Sequence, residues 1–124
     1  MGYQVITPPT EPVTLADARL HLRVTDTAED ALIGVWITAA REACEHYTQR
    51  SIGSQTLELR LDEFPDGAID LPRSPVTAIT SLKYIDTNGT EQTLAPSAYT
   101  LDTFSHTSWV IRAHGTEWPE TLDA

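Results

Sequence analysis

Residues 14–62, TLADARLHLRVTDTAEDALIGVWITAAREACEHYTQRSIGSQTLELRLD, decide the fold, because two helical periods run directly into a period of two. Thr14 stands three residues before Asp17, the spacing of a capping box, and Val13 and Ala18 sit where a hydrophobic staple forms. A short helix is therefore expected from about Leu15 to Leu22, with Leu15, Ala18 and Leu22 as its apolar stripe. At this length it cannot stand alone in water and must dock.

Asp26 with Glu29 repeats the capping spacing, and Glu29 and Asp30 place negative charge at the positive end of a helix dipole. A long helix to about Arg50 follows. Leu32, Trp36, Ala39, Ala40, Ala43 and Tyr47, flanked by Ile33, Ile37 and Cys44, recur at three and four residues and read as its core face. Gly34, Thr38, Arg41, Glu42, Glu45 and Gln49 lie opposite. That polar side is either a solvated face or a subunit contact, and Arg41 and Glu45 are its candidate interface residues.

After Gly53 the pattern alternates, with Leu57, Leu59 and Leu61 on one side of a strand. Ile69 and Leu71 read as a second strand, held to an edge by Pro72 and Pro75. Val76 to Ile85 reads as a longer strand, and Asn88-Gly89 as a type I′ hairpin turn returning through Glu91 to Leu94. Tyr99 to Leu101 and Trp109 to Arg112 complete the set, separated by a polar loop. Connections this short favour antiparallel pairing. The expected fold class is α+β: two N-terminal helices, one short and one long, followed by a mostly antiparallel β-rich half. The expected organisation is one domain over 1–124, with an extended arm at 1–13, where Pro8, Pro9 and Pro12 remove backbone donors. The helical pair then fills 14–50, the β-rich half 54–112, and a tail 113–124.

The order and spacing of TLADARLHLRV, DTAEDALI, AAREACEHYTQR and LPRSPVTAITSLKYIDTNGTEQTLAPSAYTLD resemble the head-tail connector, or adaptor, proteins of tailed phages and gene transfer agents. The resemblance implies a virion structural protein assembled in the bacterial host cytoplasm and located at the head-tail junction. Its implied partners are the portal protein, a tail-completion or head-closure protein, and roughly a dozen copies of itself in a closed ring. Double-stranded DNA would pass through that ring without tight binding. It also implies a free chain that stays monomeric until a portal templates it. Family members continue past the Trp118-Pro119 point into a further strand or two and an apolar helix. The sequence given stops at Ala124, and that helix would be the natural partner for the Leu32 to Tyr47 stripe, part of which is otherwise left to a neighbouring subunit or to residues beyond Ala124; no claim of portal binding through the C-terminus carries over.

Chemistry points the same way by default. His21, His46, His106 and His114 show no metal-ligand spacing, and no nucleophile elbow or phosphate loop occurs. No cofactor, metal site or enzyme is expected. Eight Lys and Arg against eighteen Asp and Glu give a net charge of -10, so phosphate binding by counterion release is disfavoured. No apolar run is long enough for a membrane span, and the lone Cys44 is expected inside as an inert thiol. The hairpin tip Asp86, Thr87, Asn88 and Gly89 is a second candidate contact. The competing reading is a small ligand- or protein-binding module with its site in the β-rich half.

Overall fold

The computed structural model describes residues 2–122, so Met1, Asp123 and Ala124 at the ends of the expected arm and tail lie outside the described residues. Helices and antiparallel strands both occur, which makes the fold α+β. The described chain forms two compact units, one of residues 5–57 and one of residues 2–4 with 58–122.

In the first unit, α1 spans Leu15–Leu22 as expected, and the Thr14 hydroxyl accepts a hydrogen bond from the Asp17 amide at 3.1 Å. Arg23 ends it in the left-handed region at φ 58°. The long helix α2, Asp30–Thr48, starts four residues later than its expected cap. Asp26 closes a local turn instead, accepting from the Ala28 amide, and the chain enters α2 through Glu29. Helix α1 packs on α2, and Ile33 of α2 is buried.

The N-terminal arm is not an arm throughout. Gly2–Thr7 forms strand β1 and pairs with β2, Thr56–Arg60. Tyr3, Val5, Ile6 and Thr7 are strand formers, and the prolines that suggested an irregular arm begin only at Pro8.

In the second unit, β3 (Ile69–Leu71), β6 (Tyr99–Asp102) and β7 (Ser108–Arg112) form a sheet with β7 in the middle, all pairs antiparallel. Ile69 and Leu101 both oppose Val110, so the buried pair Ile69 and Val110 lies at the sheet centre. A separate ribbon joins β4 (Lys83–Ile85) to β5 (Glu91–Thr93). The expected strand Val76 to Ile85 is thus shorter than its composition suggested. Pro75 precedes it, and its first residue instead locks to the start of β7: the Val76 amide donates to the Ser108 hydroxyl, and the Ser108 amide donates to the Ser74 hydroxyl. Phe64 stacks on Trp118 at 5.0 Å between ring centroids, and Tyr84 leans on Phe64 at 6.1 Å. The Trp118 indole N–H donates to the Gly67 carbonyl at 2.9 Å, so this tryptophan is packing.

Candidate interface surfaces

Helix α2 is turned the opposite way from its expected orientation. Arg41 and Glu45, placed on the polar side from sequence, are buried, at 8% and 1% exposure. Trp36 is 53% and Tyr47 90% exposed, and Leu32, Val35 and Cys44 are exposed too. The expected core stripe is therefore the outer surface of α2, and Cys44 is no buried thiol. The reason is that α2 is apolar around most of its circumference. Ile33 and Ile37 lie on the inward side, and the polar groups beside them find partners.

Those partners come from elsewhere in the unit. The Arg41 guanidinium donates through Nε to Glu11 Oε2 at 2.8 Å and through Nη2 to Glu11 Oε1 at 3.2 Å, a two-pronged pair. Its Nη1 donates to Glu45 Oε1 at 3.2 Å. The same Glu45 oxygen accepts from the Ile52 amide at 3.1 Å and from Gln55 Nε2 at 3.0 Å, while Thr38 Oγ1 donates to Glu11 at 3.0 Å. Hydrogen bonding to Arg41 holds the Glu11 carboxyl below its ordinary range, and bonding to Glu11 raises the Arg41 guanidinium in turn. One cation thus fastens the Pro-rich segment, α2 and the turn after α2. Arg41 and Glu45 are engaged within the chain, and Glu11 is the residue that sequence reasoning missed. Its only signal was a lone acid between prolines in TPPTEPV.

The hairpin tip also differs from the expected turn. Asn88 does not adopt positive φ, whereas Gly89 does at 79°. The Gly89 amide donates to the Asp86 carbonyl and the Asp86 amide to the Thr90 carbonyl, each at 2.9 Å. This is a three-residue loop with a left-handed glycine, in place of a two-residue type I′ turn. The Asp86 carboxylate accepts from the Asn88 and Thr90 amides and from Gln92 Nε2, and these bonds, led by the Thr90 amide, hold it below its ordinary value. Thr87, Asn88 and Gly89 are exposed around it.

An open groove of about 340 Å³ in the second unit is lined by Gly67, Ala68, Ile111, Arg112, Ala113, Gly115 and Thr116. Its one charged group, Arg112, pairs with Glu117, and Thr116 Oγ1 donates to the Ala113 carbonyl. Nothing in that lining pairs a nucleophile with a base. Among the described residues, no group of three or more His, Cys, Asp or Glu side chains could hold a metal, and no helix is long and apolar enough to cross a membrane.

Residues 12–108 match the family model described as phage gp6-like head-tail connector protein. A chain in the neck of an empty GTA particle, computed with C6 symmetry, is 25% identical and superposes with a TM-score of 0.82, covering 99% of this chain and 66% of its own length. A chain in the virion of a native gene transfer agent particle is 27% identical with a TM-score of 0.80, over 98% of this chain and 66% of its own. This chain therefore spans slightly less than two thirds of the solved chains it resembles. No curated protein sequence matches it.

Proposed function

This chain belongs to the phage gp6-like head-tail connector family, and on that premise we propose that it is a ring subunit between a portal and the next tail-completion or head-closure protein. The family is one of structural connectors rather than enzymes. The observation that carries the reading is the family match over residues 12–108, most of the chain. Likeness to chains of a GTA neck and a GTA virion supports a place in the particle at the head-tail junction, after assembly in the host cytoplasm. The sixfold symmetry applied to that neck is compatible with a ring of roughly a dozen copies.

A net charge of -10 per chain suits a channel that DNA slides through, because an acidic lumen repels phosphate. The reading treats both compact units as one connector-like domain. The exposed tip Asp86, Thr87, Asn88 and Gly89 is the segment proposed to reach a neighbour. Arg41 and Glu45 would serve such a contact by fixing how α2 is presented, since their own charges meet inside the chain.

The test is light scattering and electron microscopy of the purified protein, alone and mixed with purified portal. Rings of this chain seated on portal are expected. No association at any accessible concentration removes the reading.

A further inference from the structure

Asn88 is the one asparagine in the sequence, and a glycine follows it. Both residues are exposed at the tip of the β4–β5 ribbon. Among the described residues the Asn88 carboxamide has no hydrogen-bond partner, so its Cγ carbonyl is free to react. A Cβ built on Gly89 would meet open space, so no side chain crowds the Gly89 amide nitrogen. An electrophilic carbon and a backbone nitrogen able to close a five-membered ring with it thus stand side by side at an open turn.

We propose that Asn88 is a site of spontaneous deamidation: the Gly89 amide nitrogen attacks Asn88 Cγ, and the Asp86 carboxylate sets the rate by holding the backbone on both sides of the reacting peptide. Water is the only co-reactant. A base in solvent takes the Gly89 amide proton, the N–Cγ bond forms, and the Cγ–Nδ2 bond breaks. Nδ2 takes a proton from water and leaves as ammonia, and a succinimide ring remains. Water then opens the ring. Breaking the new N–Cγ bond leaves aspartate at 88, whereas breaking the original peptide bond leaves isoaspartate, with the main chain routed through Cγ. Nothing is oxidised or reduced. Either product adds a negative charge to the tip, and isoaspartate also inserts a methylene into the turn, so the Gly89 amide no longer meets the Asp86 carbonyl as it does now.

The folded loop works against this reaction. The N–H that must be lost is the one that donates to the Asp86 carbonyl at 2.9 Å. Ring closure also requires the Asn88-Gly89 peptide to turn until the Gly89 nitrogen faces Cγ. Asp86 Oδ1 resists that turn by accepting from the Asn88 amide at 2.9 Å and from the Thr90 amide at 3.0 Å, one on each side of the reacting pair. Gln92 Nε2 donates to the other carboxylate oxygen, Oδ2, at 2.9 Å and touches neither amide. Asp86 is therefore a positioning residue, and its grip slows the chemistry that the Asn88-Gly89 pair would otherwise undergo as an unfolded chain. The inference does not rest on the connector reading, because the reaction is followed in the free protein.

The test is incubation of the purified chain in warm, mildly alkaline buffer, both folded and unfolded in urea, followed by peptide mapping with mass spectrometry. Replacement of the carboxamide NH2 by OH at position 88 reports the reaction, and labelling by an isoaspartate-specific methyltransferase separates the two products. The folded chain should convert at Asn88 roughly tenfold more slowly than the unfolded chain, and Asp86→Ala should recover most of that factor, as expected when hydrogen bonds that restrain the reacting peptide are lost. Gln92→Leu leaves both amides held and should stay within about twofold of the wild-type rate. Asn88→Gln, which would need a larger ring, should stop the reaction at this site. The ratio of folded to unfolded rates stands as evidence even if Asp86→Ala folds poorly. A folded chain left unconverted at Asn88, equal rates for the folded and unfolded chains, or an Asp86→Ala rate no faster than wild type would overturn the proposal. So would a Gln92→Leu variant accelerated as much as Asp86→Ala.

Discussion

Replacing Arg41 with Met removes the cation from the Glu11–Arg41–Glu45 cluster while keeping an unbranched, helix-favouring side chain of similar reach. Glu45 is then left 1% exposed without the Arg41 guanidinium, while the Ile52 amide and Gln55 Nε2 still donate to it. Breaking a buried ion pair by deleting one partner costs roughly 3 to 5 kcal/mol, and the surviving hydrogen bonds put this case at the lower end, about 3 kcal/mol. For a chain of this length that corresponds to a fall in Tm of about 10 °C. The assay is urea denaturation followed by circular dichroism, with the Arg41→Met, Glu45→Leu double variant beside the single one. Removing both buried charges takes away the carboxylate that Arg41→Met deprives of its guanidinium, so the double variant should be more stable than Arg41→Met alone. A loss below about 1 kcal/mol for Arg41→Met would refute the view that this cluster fixes the orientation of α2. So would a double variant no more stable than Arg41→Met alone.

Three further outcomes are expected. Because the Glu11 carboxyl sits below its ordinary 4.5, its contribution is present above that value and lost as pH falls through the lower folded value. Tm should therefore drop more steeply below pH 4.5 in the wild type than in Glu11→Gln, and equal slopes would disprove the linkage. Gly53 and Gly89 both have positive φ, at 82° and 79°, but an added Cβ at Gly53 would lie 3.1 Å from Pro9 Cβ, whereas at Gly89 it would meet open space. Gly89→Ala should cost about 1 kcal/mol and Gly53→Ala clearly more, read by urea midpoints; the reverse order would contradict the packing of Pro9 on that turn. Finally, fluorescence anisotropy with a short duplex near 0.15 M salt should detect no binding. Micromolar affinity with a steep salt slope would mean that folding gathers the arginines into a phosphate track and would end the passive-channel reading.

The sequence was most legible where the determining contacts are local. The Thr14 cap, the span of α1, the strand at Ile69, the β4–β5 ribbon and the antiparallel β6–β7 pair all follow from residues within a few positions of one another. Even the misread hairpin failed only in turn type: Asn88-Gly89 marks the bend, but the Asp86 carboxylate, bonded to two amides, favours a three-residue loop. Family membership was legible as well, since order and spacing survive where no single motif is specific.

What the sequence by itself determined, then, is that α2 exists and is apolar over much of its surface. Which side faces inward was decided only by the tertiary structure. Periodicity counts apolar residues around a helix, but it cannot weigh a polar side whose partners lie 30 residues before Arg41, at Glu11, and 10 residues after Glu45, at Gln55. Once those partners converge, burying Arg41 and Glu45 leaves their charges satisfied, and the Trp36 and Tyr47 stripe is free to face outward. The orientation of that stripe is a property of the assembled fold.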